Sequence, residues 1–237
     1  MSAGLNLSRA RLAAGGLVKI CGLRQSEHAV AAALAGADLL GFIFADARRR
    51  VTPETARDCI AAARAASPDR VLLAVGVFVD ATADEMNAVA ACAGLDLIQI
   101  HGAPPPDLFA SLARPALQVL RTGEGTVAEV ERRIASHAID PCRPLAYLVD
   151  GYAPHAHGGA GVRADWATAA HLAQTVPLIL AGGLGPTNVA DAIATVRPRG
   201  VDVSSGVETD GVKDPAKIAA FVAAAKRAFG AAPGVEA

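Results

Sequence analysis

The sequence predicts an α/β protein built as a single (βα)8 TIM barrel, and three observations predict it. Short runs rich in valine, isoleucine and leucine alternate with alanine-rich helical stretches at a spacing of roughly 25 to 30 residues. There are eight such runs, each leading into a polar or glycine-bearing loop and then a helix. No linker or low-complexity segment divides the 237 residues, of which 52% are hydrophobic and 19% charged, so one large core can be buried. A doubly wound open sheet would share much of this rhythm and stays open on the pattern alone.

Residues 1–16 carry arginines and no acidic side chain, without the length or amphipathic pattern of a transit peptide. They read as a poorly ordered N-terminal extension ahead of a barrel spanning 17–237. The first strand is Leu17–Cys21, which ends just before Gly22. Alternation sends Val18 and Ile20 to one face and Lys19 and Cys21 to the other, so an ammonium lies beneath a thiol at the strand's C-terminal edge. Catalytic groups collect at that edge in parallel barrels. A neighbouring cation favours thiolate, and the Cys21 pKa is expected to be lowered. The plainer reading makes Cys21 a small buried hydrophobe.

The second strand, Leu39–Phe44, leads to Arg48-Arg49-Arg50. A charge run is usually a solvated face, but its place after a strand offers one of the three as a carboxylate clamp. Thr52-Pro53-Glu54 then opens a helix with proline in its first turn. The third strand is Val71–Phe78, followed by a helix that starts at Thr82 with Asp84 and Glu85 in its first turn. The fourth, Leu95–Ile100, runs into His101-Gly102 and places Gln99 and His101 on one face. After the fifth strand, Leu117–Arg121, residues Thr126 to His137 are helical, and a long loop reaches the sixth, Leu145–Val149. That strand delivers Asp150, where a buried neighbourhood raises a carboxyl pKa enough to make it an acid. His155 and His157 in the sixth loop lack an acidic or cysteine ligand at suitable spacing, so no metal is expected.

The seventh strand, Leu178–Ala181, ends in Gly182-Gly183, and Pro186-Thr187-Asn188 opens the next helix. The eighth, Gly200–Val203, ends in Ser204-Ser205-Gly206. Either loop alone could be a simple turn. Two glycine-rich loops after strands seven and eight, where barrels build their phosphate sites, point to a phosphorylated ligand. A net charge of -1 argues against nucleic acid or an anionic membrane as partner. Cys21, Cys59, Cys92 and Cys142 are too scattered for zinc or a disulfide framework, which fits a reducing, cytoplasmic setting. No apolar run approaches the roughly 20 residues that span a bilayer.

In order along the chain stand VKICGLR, GFIF with the arginine cluster and VTPE, VGVFVD, LIQIHG, YLVDG, HGGAG followed by DW, LAGGLGPTNV and VDVSSGVE. Together, from Leu17 to Phe229, they resemble phosphoribosylanthranilate isomerase, an enzyme of tryptophan biosynthesis. The resemblance implies a cofactor-free barrel acting on a small phosphosugar, as a monomer or homodimer. It also implies an Amadori rearrangement of N-(5-phosphoribosyl)anthranilate to 1-(2-carboxyphenylamino)-1-deoxyribulose 5-phosphate. Carried over, the family's general base falls on Cys21 and its general acid on Asp150. Arg49 matches the arginine facing the anthranilate carboxylate, and Gly182, Gly183, Ser204, Ser205 and Gly206 match the phosphate cradle. His101 and Asp202 match residues lining the sugar, supported by Gln99. The family's serine-proline-arginine-tyrosine pattern is here Ala47-Arg48-Arg49-Arg50, an aromatic replaced by a third arginine, and Val162-Arg163-Ala164 departs from the usual residues before Asp165-Trp166. Other phosphosugar barrels, an epimerase or an indole-3-glycerol-phosphate synthase-like enzyme, need metal-ligand histidines or paired lysines at strand ends, which are not found. A non-catalytic ligand-binding barrel would need neither Cys21 nor Asp150.

Overall fold

The structure, a computed structural model, describes residues 3–122, 126–137, 143–151 and 164–231. Eight parallel strands close in sequence order into a barrel: β1 Leu17–Cys21, β2 Leu39–Ile43, β3 Leu73–Val79, β4 Leu97–His101, β5 Ala116–Thr122, β6 Ala146–Gly151, β7 Leu178–Leu180 and β8 Gly200–Val203. The final seam pairs β1 with β8, in register Lys19 with Asp202. Closure disposes of the open doubly wound sheet and leaves no unpaired barrel edge.

Two-residue alternation divides the strand side chains between two buried clusters. Leu17, Leu39, Val75, Leu97, Leu117, Leu148 and Ile179 fill the barrel interior. Val18, Ile20, Phe42, Ile98, Leu120, Val149, Leu180 and Val201 face outward onto the helices. Each fully buried aliphatic side chain of this kind contributes about 1.5–3 kcal/mol. The N-terminal half of the barrel interior is therefore a packed plug, and the polar side chains described below gather toward the C-terminal mouth.

Helices α2 Ser26–Ala35, α3 Pro53–Ala66 and α4 Ala83–Ala93 follow the first three strands. Thr52 caps α3 by accepting from the Thr55 amide, and Thr82 with Glu85 forms a reciprocal capping box on α4. After β4 the expected helix is replaced by a 3₁₀ turn, Pro106–Ser111. Pro104, Pro105 and Pro106 supply no amide hydrogens and hold the residue before each out of the α region. The remaining helices are α5 Val127–Ser136, α6 Trp166–Leu172, α7 Val189–Val196 and α8 Pro215–Ala231. Between β8 and α8 lies an unanticipated hairpin, β9 Glu208–Thr209 with β10 Val212–Lys213.

Of residues 1–16, read from sequence as an N-terminal extension, Ala3–Ala14 form helix α1, and its Leu12 joins the interior cluster. Arg11 pairs with the buried Asp38, which also holds Lys226 and the Val18 amide. One apolar contact and one buried charge tie this helix beneath the barrel, although its sequence has little amphipathic pattern.

Candidate active site

β1 carries Lys19 and Cys21 into the interior, as alternation requires. Lys19 is completely buried, and its Nζ donates to Asp202 Oδ1 at 3.1 Å across the closing seam. Gly41 on β2 is the register partner of Cys21. A Cβ added there would stand 2.9 Å from Cys21 Sγ and 3.1 Å from Lys19 Nζ, so thiol and ammonium share the space this glycine leaves. The geometry is the one expected; the electrostatic outcome is the reverse. Burial raises the Cys21 pKa by more than Lys19 lowers it, and the neighbouring Asp202 carboxylate adds to the rise. Burial also opposes the charge of Lys19, but Asp202 and Cys21 hold its pKa above the ordinary value. The ammonium is already matched by a carboxylate, which reduces what it offers the thiol.

Asp150, only 8% exposed, stands at the end of β6. Burial first, and repulsion from Asp202 second, raise its carboxyl to about 6, against a hydrogen bond of 2.8 Å from the Gly151 amide. A proton donor is therefore available in the range where an ordinary aspartate has lost its proton. Gln99 and His101 lie on the inner face of β4, both buried, with Nε2 atoms 3.2 Å apart. Cys21, Arg49, Gln99, His101, Asp150, Asp202 and Ser204 line one cleft. Asp150, Gly182, Gly183, Asp202, Ser204, Ser205 and Gly206 line a second. The two clefts share Asp150, Asp202 and Ser204, so Cys21, Asp150 and the glycine loops open onto one continuous groove.

The cradle is built by close approach. A Cβ on Gly206 would lie 1.9 Å from the Leu184 carbonyl oxygen, so only glycine lets the loop after β8 press against the loop after β7. Asn188, read from sequence as a helix opener, braces the same turn: its Oδ1 accepts from the Gly185 amide at 2.8 Å and its Nδ2 donates to Gly183 O at 2.9 Å.

Arg49 is buried, whereas Arg48 and Arg50 are exposed. Arg49 Nε donates to Glu208 Oε1 at 2.7 Å and Nη2 to Oε2 at 2.8 Å. Arg48, although exposed, also reaches Glu208 Oε2, at 2.9 Å. Lys213 Nζ donates to Glu208 Oε1 at 2.9 Å and to Ser204 O at 2.7 Å. Burial works against the Glu208 charge, yet hydrogen bonds from Arg49 and the charge of Lys213 hold its carboxyl at about 2. Sequence reasoning missed both Glu208 and Lys213. The available signal was Asp210-Gly211 between them, a dipeptide that favours tight hairpin turns.

His155, His157, Cys142 and all of HGGAG lie outside the described residues. Among the described residues no three His, Cys, Asp or Glu side chains gather as a metal site, and no helix is long and apolar enough to cross a membrane.

Residues 18–224 match the family model for N-(5'phosphoribosyl)anthranilate (PRA) isomerase. A relative from Roseiflexus sp. (strain RS-1), an N-(5'-phosphoribosyl)anthranilate isomerase, is 48% identical over 213 residues, covering 89% of this chain and 98% of its own. The crystal structure of phosphoribosyl anthranilate isomerase from Thermotoga maritima matches with a TM-score of 0.75 at 31% identity, covering 89% of this chain and 98% of that one. A phosphoribosyl anthranilate isomerase in complex with reduced 1-(o-carboxyphenylamino)-1-deoxyribulose 5-phosphate matches over the same shares, with a TM-score of 0.72 and 31% identity. With a barrel of this order and a groove that joins an acid, a thiol and a glycine cradle, the chain belongs to the N-(5'-phosphoribosyl)anthranilate isomerase family.

Proposed function

We propose that this isomerase of tryptophan biosynthesis converts N-(5'-phosphoribosyl)anthranilate to 1-(2-carboxyphenylamino)-1-deoxyribulose 5-phosphate with Asp150 as general acid and Cys21 as general base. One observation carries the reading: both groups face a groove whose far wall is the glycine cradle. With the phosphate on the amides and hydroxyls of Gly182, Gly183, Ser204, Ser205 and Gly206, the sugar lies along Asp150, Asp202 and His101, beside Gln99. The anthranilate carboxylate then faces Arg49.

The chemistry requires Asp150 protonated and Cys21 ionised. Asp150 gives its proton to the furanose ring oxygen; the C1–O bond breaks, and the nitrogen lone pair forms a C1=N Schiff base. Cys21 thiolate takes the proton from C2. The C2–H electron pair becomes the C1=C2 bond and the imine pair returns to nitrogen, giving an enolamine. The Cys21 thiol then returns a proton to C1 while the C2 hydroxyl gives its proton to the Asp150 carboxylate, which leaves the ketose and restores both side chains. No atom is gained or lost, and no redox partner is consumed. Lys19 steadies the thiolate that persists only briefly, while Asp202 fixes Lys19 and adds its repulsion to the burial that raises the Asp150 carboxyl.

On this reading the partner is a small phosphosugar met in the cytoplasm, the protein working as a monomer or homodimer without nucleic acid or membrane. Adding purified protein to N-(5'-phosphoribosyl)anthranilate and following loss of substrate fluorescence tests the activity. Wild type should deplete the signal, and persistence of the signal at micromolar enzyme would overturn the assignment.

A further inference from the structure

Arg49 reaches the cleft already bound to a carboxylate of its own chain. Glu208 takes the Nε–Nη2 edge of the guanidinium in two hydrogen bonds, the geometry that fixes both the position and the plane of the group. Arg49 lines the cleft beside Cys21; Glu208 does not. Among the described residues no hydrogen bond engages Arg49 Nη1, and Nη2 keeps a second hydrogen, so the terminal Nη1–Nη2 edge can take a second carboxylate. Glu208 is itself held by Arg48 and by the buried Lys213. Lys213 in turn grips the Ser204 carbonyl in the phosphate loop, so the β9–β10 hairpin joins the arginine to the phosphate cradle.

We propose that Glu208 is a positioning residue for substrate binding: it orients the Arg49 guanidinium so that its terminal edge meets the anthranilate carboxylate at a fixed distance from the phosphate loop. The inference rests on Arg49 as the carboxylate clamp. A free arginine would sample many rotamers and lose that freedom on binding; one already forked onto Glu208 has lost it beforehand. The opposite sign is physically available, since a resident anion can compete with the ligand carboxylate for the same cation. Two features favour orientation over competition. Glu208 and a ligand use different edges of the planar fork, and the cluster of Arg48, Arg49 and Lys213 around one carboxylate keeps a net positive charge for the ligand.

The test is a cycle on the full-length enzyme: wild type, Arg49→Ala, Glu208→Gln and the double variant, with KM and kcat measured at fixed salt. Arg49→Ala should raise KM by roughly ten- to a hundredfold, the loss expected for a charge-assisted pair. Glu208→Gln should raise KM by about tenfold with kcat within about twofold, because the acid–base pair is untouched. In the Arg49→Ala background the same change should add nothing, since Glu208 acts through Arg49. Glu208→Asp keeps the charge that folds the hairpin but shortens the fork. It should raise KM less than Glu208→Gln, and it carries the test if the Gln variant does not fold. An unchanged or lowered KM in a folded Glu208 variant overturns the proposal, as does a loss confined to kcat or full additivity in the double variant. An unchanged KM in Arg49→Ala overturns the clamp itself, a separate and recognisable failure.

Discussion

At the residue scale, the proposed mechanism turns on two groups, Cys21 as base and Asp150 as acid, whose required protonation states are the less populated ones. The base is required as thiolate although burial raises the Cys21 pKa, and the acid is required protonated although its pKa is only about 6. With the thiol above its ordinary value of 9.0 and the acid at about 6, at most about one molecule in a thousand holds the productive pair between those values. The product of the two fractions still gives a broad bell. Below pH 6 the thiolate fraction limits and activity rises with pH. Between the two values the gain in thiolate cancels the loss of acid. Above the thiol pKa only the loss remains. The kcat/KM profile should therefore climb to about pH 6, stay flat, and fall only beyond the ordinary cysteine range. Alkylation of Cys21, protected by product, should show its midpoint on that high limb; a midpoint below the ordinary thiol value would contradict the dominance of burial. Cys21→Ala and Asp150→Asn should each lower kcat by at least about a hundredfold while leaving product affinity near wild type, since neither change touches the cradle or the clamp. Strand alternation alone placed Lys19 beneath Cys21, because a period of two needs no tertiary knowledge. The sign of the thiol shift could not be read that way: it depends on how completely the strand is enclosed and on Asp202, 181 positions away in sequence, matching the lysine first.

At the element scale, the groove depends on how closely two loops approach. The turn after β8 fits only because Gly206 has no side chain against the Leu184 carbonyl. Gly206→Ala should push the two loops apart and cost at least about tenfold in affinity for the phosphorylated product, while the barrel strands and the Lys19–Asp202 pair stay in place. Titration calorimetry with product and with inorganic phosphate would measure this, and undiminished affinity would move the phosphate site elsewhere. These loops were legible because glycine and serine at two consecutive strand ends carry their own chemical meaning. The 3₁₀ turn after β4 was equally readable, from three consecutive prolines, but the regular rhythm of the barrel pointed to a helix there. The β9–β10 hairpin was marked by Asp210-Gly211, whose left-handed φ values of 51° and 77° suit a tight turn. Nothing local revealed that its two ends hold Arg49 and Ser204. That coupling spans residues 49 to 213, and it exists only after the barrel has closed.

At the scale of the whole molecule, the carboxyl proposed as the acid weakens the fold. Asp150 titrates at about 6 in the folded chain, against an ordinary value of 3.8. Between those values the folded state holds a proton that the unfolded state has released. The stability associated with the neutral carboxyl is complete below pH 3.8 and is lost as pH rises through 6. At pH 8 the enclosed carboxylate, repelled by Asp202, costs the folded state on the order of a few kcal/mol. Asp150→Asn removes the charge and keeps an oxygen for the Gly151 amide, which now donates to Asp150 Oδ1 at 2.8 Å. The inactive variant should therefore be the more stable protein at pH 8, with Tm higher by roughly 5 to 10 °C. At pH 4, where the wild-type carboxyl is already neutral in the fold, the gain should shrink to nearly nothing. Calorimetric scans of both proteins across that range decide it. A gain independent of pH would assign the effect to packing rather than charge, and a loss at pH 8 would mean that the Asp150 carboxylate is better satisfied in the folded barrel than burial and the facing Asp202 allow.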